Sequence, residues 1–243
     1  MIKEALQYIV GLNKPELMSI EGQTYSDKNL SRVSYNPKAK SIKMSTLTSL
    51  VDYIKAGVDT MADNMIVQVI SPLEVKLISM LDAERIREEI VYVEGSVPDF
   101  RYGSYIDNES FLIALQAKFM PSPDRDLLLK FAGTVESGTV AKYGDDGISQ
   151  KATVKTGVAS KSDCIVPNPV RLIPFRTFME VGQPESSFIF RMRDDNQLGI
   201  QCAIFEADGG AWKNVEMTHI KDYLVDELED INAECFNRFT VIS

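Results

Sequence analysis

A chain of 243 residues with net charge −9, 44% hydrophobic and 25% charged residues has the composition of an ordinary soluble globular protein, long enough for a substantial core. No apolar run approaches the roughly 20 residues that span a bilayer, so no membrane role is expected. Twenty-six basic residues against 35 acidic ones disfavour nucleic acid as a general partner, because non-specific DNA binding depends on many Lys and Arg contacts to phosphate.

Residues 2–13 place Ile2, Ala5, Leu6, Ile9 and Val10 on one face and predict a short amphipathic helix, ended by Pro15. Acids and amides interrupt that apolar stretch, which makes it a poor signal peptide. A second helix is predicted over 45–57 with Ser45 as its cap and a face of Leu47, Leu50, Val51, Ile54 and Val58. Three extended runs follow, "NMIVQVIS", "LEVKLISML" and "EEIVYVEGSV", whose β-branched content and alternation predict strands. A third helix is predicted over 108–119, capped by Asn108, with Phe111, Leu112, Leu115 and Phe119 inward and "MPSPD" ending it.

From Asp126 onward "DLLLKFAGTVES" and the runs after it are expected to be β-rich, with Asp146-Gly147 as a hairpin turn. "PNPVRLIPFRTF" carries two prolines that limit ladder bonding, so it is expected at a sheet edge. A second hairpin should pair "SSFIFRMR" with "LGIQCAIFEA", Phe188, Phe190 and Met192 alternating with Ile189, Arg191 and Arg193. A final helix near 215–231 has Met217, Ile220, Leu224, Leu228 and Ile231 as its buried stripe and acids on its outer face, and "RFTVIS" is a last strand. The fold class is therefore α+β: a mixed N-terminal lobe over 1–125, then an antiparallel β-sheet region over 126–243 with a C-terminal helix, or one continuous domain.

The chemistry on offer is sparse. His219 is the only histidine, placed beside the stripe of the last helix, and no Walker loop, dinucleotide fingerprint or nucleophile elbow occurs. Cys164, Cys202 and Cys235 are too scattered for zinc or a disulfide framework and suit reduced cytoplasmic thiols. Cys202, on an apolar strand face, is expected to be buried and inert. Asp145, Asp146, Glu206 and Asp208 could serve a metal-dependent hydrolase, but their spacing fits turns better, so no catalytic residue, metal or cofactor is expected. What stands out is Arg171, Arg176, Arg191 and Arg193 within 23 residues, since planar guanidinium groups suit carboxylate and phosphate. The one tryptophan, Trp212, lies beside two glycines, where it could stack on a base or plug a gap between sheet and helix.

"LLLKFAGTVE", "DDGISQKATVKTGV", "NPVRLIPFRTFMEVGQPESSFIFRMR" and "EADGGAWK" together resemble a phage and prophage family of the YfdQ type, whose function is uncharacterised. The resemblance covers residues 45–230, is strongest over 127–213, and departs in the first 40 residues. It implies a temperate-phage origin, a bacterial cytoplasm and an accessory, non-virion role. The expected function is a non-enzymatic binding protein acting on host or phage nucleotide or nucleic-acid processes, with an anti-defence role by ligand sequestration or effector blocking. The alternatives are a single-stranded-DNA accessory, a metal-dependent hydrolase and a self-assembling structural protein. A homo-oligomer is the expected assembly, and a nucleotide or other anionic small molecule, or a host protein, the expected partner. Arg171, Arg176, Arg191, Arg193 and Trp212 are the candidate ligand-binding residues.

Overall fold

The three extended runs in the first half form the centre of a sheet whose outer strands come from distant parts of the chain. The computed structural model describes residues 2–12, 14–29, 38–59, 64–140, 150–155, 161–166, 168–195, 197–229 and 237–243. The chain divides into two compact units after Ala39. The first unit holds helix α1 (Ile2–Leu12) and a hairpin of β1 (Leu17–Ile20) and β2 (Gln23–Ser26). Ile2 and Leu6, on the expected apolar face of α1, are exposed.

In the second unit, the three expected strands are β4 (Met65–Ser71), β5 (Glu74–Ser79) and β6 (Glu89–Glu94), and they pair antiparallel. They are flanked in parallel by β3 (Ile42–Met44) on β6 and by the last strand, β14 (Phe239–Ile242), on β4. Alternation puts Val67, Val69, Val75, Leu77, Val91 and Val93 on one buried face. Helix α2 (Leu47–Ala56) and helix α5 (Trp212–Glu229) pack there through Leu47, Leu50 and Ile54 and through Ile220, Leu224 and Leu228. α5 and β14 return to the first sheet, so both ends of this unit share one core.

The second core lies between two helices and the sheet ordered β11-β12-β13-β7. Its long hairpin joins β12 (Ser186–Asp195) to β13 (Gly199–Glu206), with Phe188, Phe190 and Met192 turned inward. At the margins are β7 (Ile106–Asp107) and β11 (Val170–Leu172), the latter at the edge, where its prolines predicted it. Pro169, joined to Asn168 by a cis peptide bond, has no N–H to give. The Asn168 side chain continues the ladder instead, donating to the Phe190 carbonyl at 3.2 Å and accepting its N–H at 2.8 Å. A further sheet, β8 (Val135–Val140), β9 (Gln150–Lys155) and β10 (Lys161–Val166), is antiparallel throughout. Asp146-Gly147, Ile231 and Cys235 lie outside the described residues.

Local chemistry corrects several sequence expectations. "DLLLKFAGTVES" begins as helix α4 (Pro123–Thr134), not as a strand. The segment read as a terminator starts it: Ser122 accepts the Arg125 N–H at 3.2 Å, Pro123 occupies the first turn, and Asp124 and Asp126 favour the positive helix end. Leu128, Phe131 and Ala132 then meet the core at helical spacing. Thr46, not Ser45, caps α2, and Asp107, not Asn108, caps α3 (Asn108–Lys118). Asn108 uses its amide on the Ala132 carbonyl at 2.9 Å, tying α3 to α4. Cys202 is fully buried, 3.6 Å from Asn108 Oδ1, and burial pushes its thiol up to about 12. At ordinary pH it is a protonated, inert thiol.

Residues 173–185, after β11, form a strap that reaches both cores. Phe119 bridges to Pro174, Thr177 donates to the Pro72 carbonyl at 2.8 Å, and Phe178 enters the first core. Gly95 makes room for that ring: a Cβ there would lie 2.9 Å from Phe178. The Gln183 side chain fixes the strap's curvature, accepting from the backbone N–H groups of Arg176 and Thr177 and donating to the Phe178 carbonyl. Among the described residues no helix is long and apolar enough to cross a membrane.

Candidate functional site

The strap, the start of β12, the end of β13 and the first turns of α5 meet around Arg176. Its side chain is only 7% exposed. One terminal nitrogen bonds Glu206 Oε1 at 3.2 Å, and the other donates to the Pro184 carbonyl at 3.3 Å and to the Ser186 hydroxyl. The guanidinium lies 3.8 Å from the centre of the Trp212 ring and 5.7 Å from that of Phe188. A desolvated cation over an indole face contributes about 2 kcal/mol. Burial lowers the pKa of Arg176, opposed by Tyr102 and the surrounding carboxylates, and the group stays charged at any physiological pH.

Glu216 is the residue that the sequence concealed. Positions 212, 216, 220, 224 and 228 form a single stripe of α5, and the carboxyl of Glu216 is fully buried within it. Counting it among the outward-facing acids was wrong; Asp222, Asp226 and Glu229 do face solvent. One oxygen of Glu216 lies 3.4 Å from His219 Nδ1, whose side chain is 54% exposed, and the other has no partner. Burial raises its pKa, with His219, the Thr177 hydroxyl and Arg176 acting against the rise. For Asp208 burial also works upward, but bonds from Ser186 and the Gly210 N–H, together with Arg176, win and hold the carboxyl below its usual range. Tyr102, stacked 5.6 Å from Phe188, is pushed up to about 12, by burial foremost.

These opposite shifts give a pH signature. Glu216 contributes stability that is present below the ordinary carboxylate value of about 4.3 and is lost as pH rises through its elevated native pKa. Asp208 contributes stability that is present above about 3.9 and is lost as pH falls through its depressed one. Glu216→Gln, neutral at every pH, is therefore expected to gain stability relative to the parent as pH rises from 4 toward neutrality. Urea midpoints measured along that range report it, and a constant offset between the two proteins would remove the assignment.

Of the five residues singled out by sequence, Arg176 and Trp212 come together, each being the other's partner. Arg176 is too buried to serve as an open phosphate grip, and Trp212 is half-buried with Arg176 on its ring. Glu206 and Asp208 also meet here, with Arg176 as the cation between them. Among the described residues no group of three His, Cys, Asp or Glu is placed to hold a metal ion.

The other three arginines share the opposite face of the β11–β12–β13 sheet. Arg171 pairs across Ser187, two strand alternations from Arg191 and three from Arg193, so all three point away from the second core. Arg171 is exposed at the edge and ion-paired to Glu185 at 2.8 Å, while its backbone N–H donates to Asp124 at 2.7 Å. Arg191 donates to the Phe190 carbonyl. Arg193 is held most firmly: its guanidinium lies 4.1 Å from the Tyr105 ring centre and donates twice to Gln201 Oε1, at 2.9 and 2.6 Å. Gln201 is itself only 8% exposed, and Tyr105 packs edge-on to Phe205 on the same face. Neither Gln201 nor Tyr105 carries a motif; strand register alone brings them to Arg193. Comparison with family models, curated proteins and solved structures finds no match for this chain.

Proposed function

We propose that the chain is a non-enzymatic binding protein of the phage accessory kind, acting on host or phage nucleotide or nucleic-acid processes. Its ligand-contacting surface is the sheet face bearing Arg171, Arg191 and Arg193. The observation that carries this proposal is the fixed guanidinium of Arg193, stacked on Tyr105 and held by the buried Gln201. An arginine used only for solvation needs no such support, whereas an anion-binding one gains affinity from being ordered beforehand. Tyr105 under Arg193, with Phe205 against it, adds flat surface for a base. The sequence resemblance supplies the phage context.

Thermal shifts against a nucleotide panel, followed by titration of the strongest hit, test this. Arg193→Ala is expected to cost about 2 kcal/mol, some thirtyfold in affinity, through loss of charge-assisted bonds. Gln201→Leu, which keeps the arginine but frees it, should weaken the same ligand by a smaller factor. A labelled oligothymidylate at low salt covers the single-strand alternative, for which affinity should fall steeply with added salt. No shift with any nucleotide and no complex with the oligonucleotide would sink both versions.

A further inference from the structure

The first unit is shaped by local chemistry, yet none of its described side chains is buried. Its hairpin turns at Glu21 and Gly22, whose positive φ of 52° and 78° suit a two-residue type I′ turn. Asp27 closes the open end, accepting the Glu16 N–H on Oδ1 at 2.7 Å and donating its own N–H to the Glu16 carbonyl at 3.2 Å. Met18 and Ile20 share one side of β1, and Tyr25, opposite Met18 on β2, joins them there. On α1, Ile2 and Leu6 lie one turn apart with Ala5 beside them. All five large side chains are more than half exposed, so neither apolar face covers the other within the chain. A two-stranded hairpin is marginal without a third strand or a helix packed on it. Units of about 40 residues usually need a disulfide, a metal or a partner chain. Residues 1–39 contain no cysteine and no histidine, which leaves the partner.

Charge and area point to which partner. Residues 1–39 carry five basic and four acidic residues, net +1, which leaves 21 basic and 31 acidic residues, net −10, in the rest of the chain. Two copies therefore repel each other through their second units and meet without that repulsion through their first. An anionic lipid surface is disfavoured, because α1 carries only Lys3 and Glu4 where a membrane-surface helix has a basic polar face. Five large side chains at roughly 100 Å² each amount to about 1,000 Å² over two copies, the size at which a specific interface begins. We propose that residues 1–39 are a homodimerisation module in which the α1 face of each copy packs on the hairpin face of the other. The exchange is reciprocal, as a two-fold contact requires, and it covers both apolar faces of both copies at once. Each hairpin thereby gains the packed helix it lacks in the single chain.

This surface is independent of the arginine face proposed above. Sedimentation equilibrium of the intact chain over a wide range of concentration tests it. The parent is expected to show twice the mass of one chain and to dissociate on dilution. Leu6→Lys breaks the helix face and Tyr25→Lys the hairpin face. Each should raise the dissociation constant about thirtyfold, the effect of losing an interface anchor. Because the faces meet each other, either change alone is sufficient. Both positions are exposed in the single chain, so neither variant removes a buried contact from the monomer. Leu6→Ser and Tyr25→Ser, which add no charge, should weaken the dimer by a smaller factor. Thr24→Lys places the same charge on the other side of the hairpin, opposite Ser19, and should leave the dimer intact. A parent mass other than two copies would overturn the proposal, whether the faces are then covered within the chain or by another protein. So would a dimer unaltered in Leu6→Lys or Tyr25→Lys, or one weakened equally by Thr24→Lys.

Discussion

Replacing Arg176 with alanine is expected to destabilise the protein by about 3–5 kcal/mol, the cost of removing one partner from a buried charge pair. The loss has three physical parts. Trp212 loses the cation on its face, Ser186 and the Pro184 carbonyl lose their donor, and Glu206, Asp208 and Glu216 lose the charge that balances them. The uncompensated carboxylates are the largest part, and they distinguish this variant from an ordinary truncation. Arg176→Met fills more of the volume without restoring the charge, so it should recover only a fraction. Combining Arg176→Met with Glu216→Met removes a charge of each sign and should recover more than either single change, since apolar replacement of a buried pair is often nearly neutral. Urea unfolding of the parent, Arg176→Ala, the two single Met variants and the double variant measures this. A cost below about 1 kcal/mol for Arg176→Ala, the value of an exposed pair, would show that Arg176 does not act there as a buried charge.

The second large effect is expected in the other core. Phe190→Ala should cost about 3–5 kcal/mol through lost burial and the cavity left behind. Phe190 is fully buried at the middle of β12, with ring centres 5.6 Å from Phe111 on α3 and 5.9 Å from Phe131 on α4. Both helices rest on this one ring, so the surroundings cannot collapse without moving two elements at once. Phe190→Leu keeps most of the volume and should cost markedly less. Chemical denaturation distinguishes them, and equal losses in the two variants would place the effect in the strand and not in the cavity.

Both expectations rest on features of unequal visibility in the sequence. The inward row of Phe188, Phe190 and Met192 is legible because a strand alternates with period two, and the edge position of β11 because proline cannot complete a ladder. The stripe of α5 is legible from Ile220, Leu224 and Leu228. The same periodicity extended backward reaches Glu216 and Trp212, and there it was overruled by residue type: a glutamate is read as exposed. α4 was missed for a related reason. The apolar run "DLLL" suggested a strand, while the cap, proline and acids just before it held the stronger information.

By itself, then, the sequence determined the elements whose pattern repeats: the antiparallel strands, most of the helices, their inward faces, and a basic segment set against an acidic last helix. It determined the α+β class for the same reason. Only the tertiary structure decided which arginine is buried and which three share an outer face. Arg176 lies in a strap without periodicity, so no local pattern reports its surroundings. Its environment is made by residues 30 positions away at Glu206 and 36 at Trp212, which meet it because the β12–β13 hairpin returns the chain to the start of α5. Burial of Glu216 has the same origin. A helix face is turned inward by the sum of its apolar neighbours, and a carboxylate caught on that face is buried with them, its pKa shifted to suit.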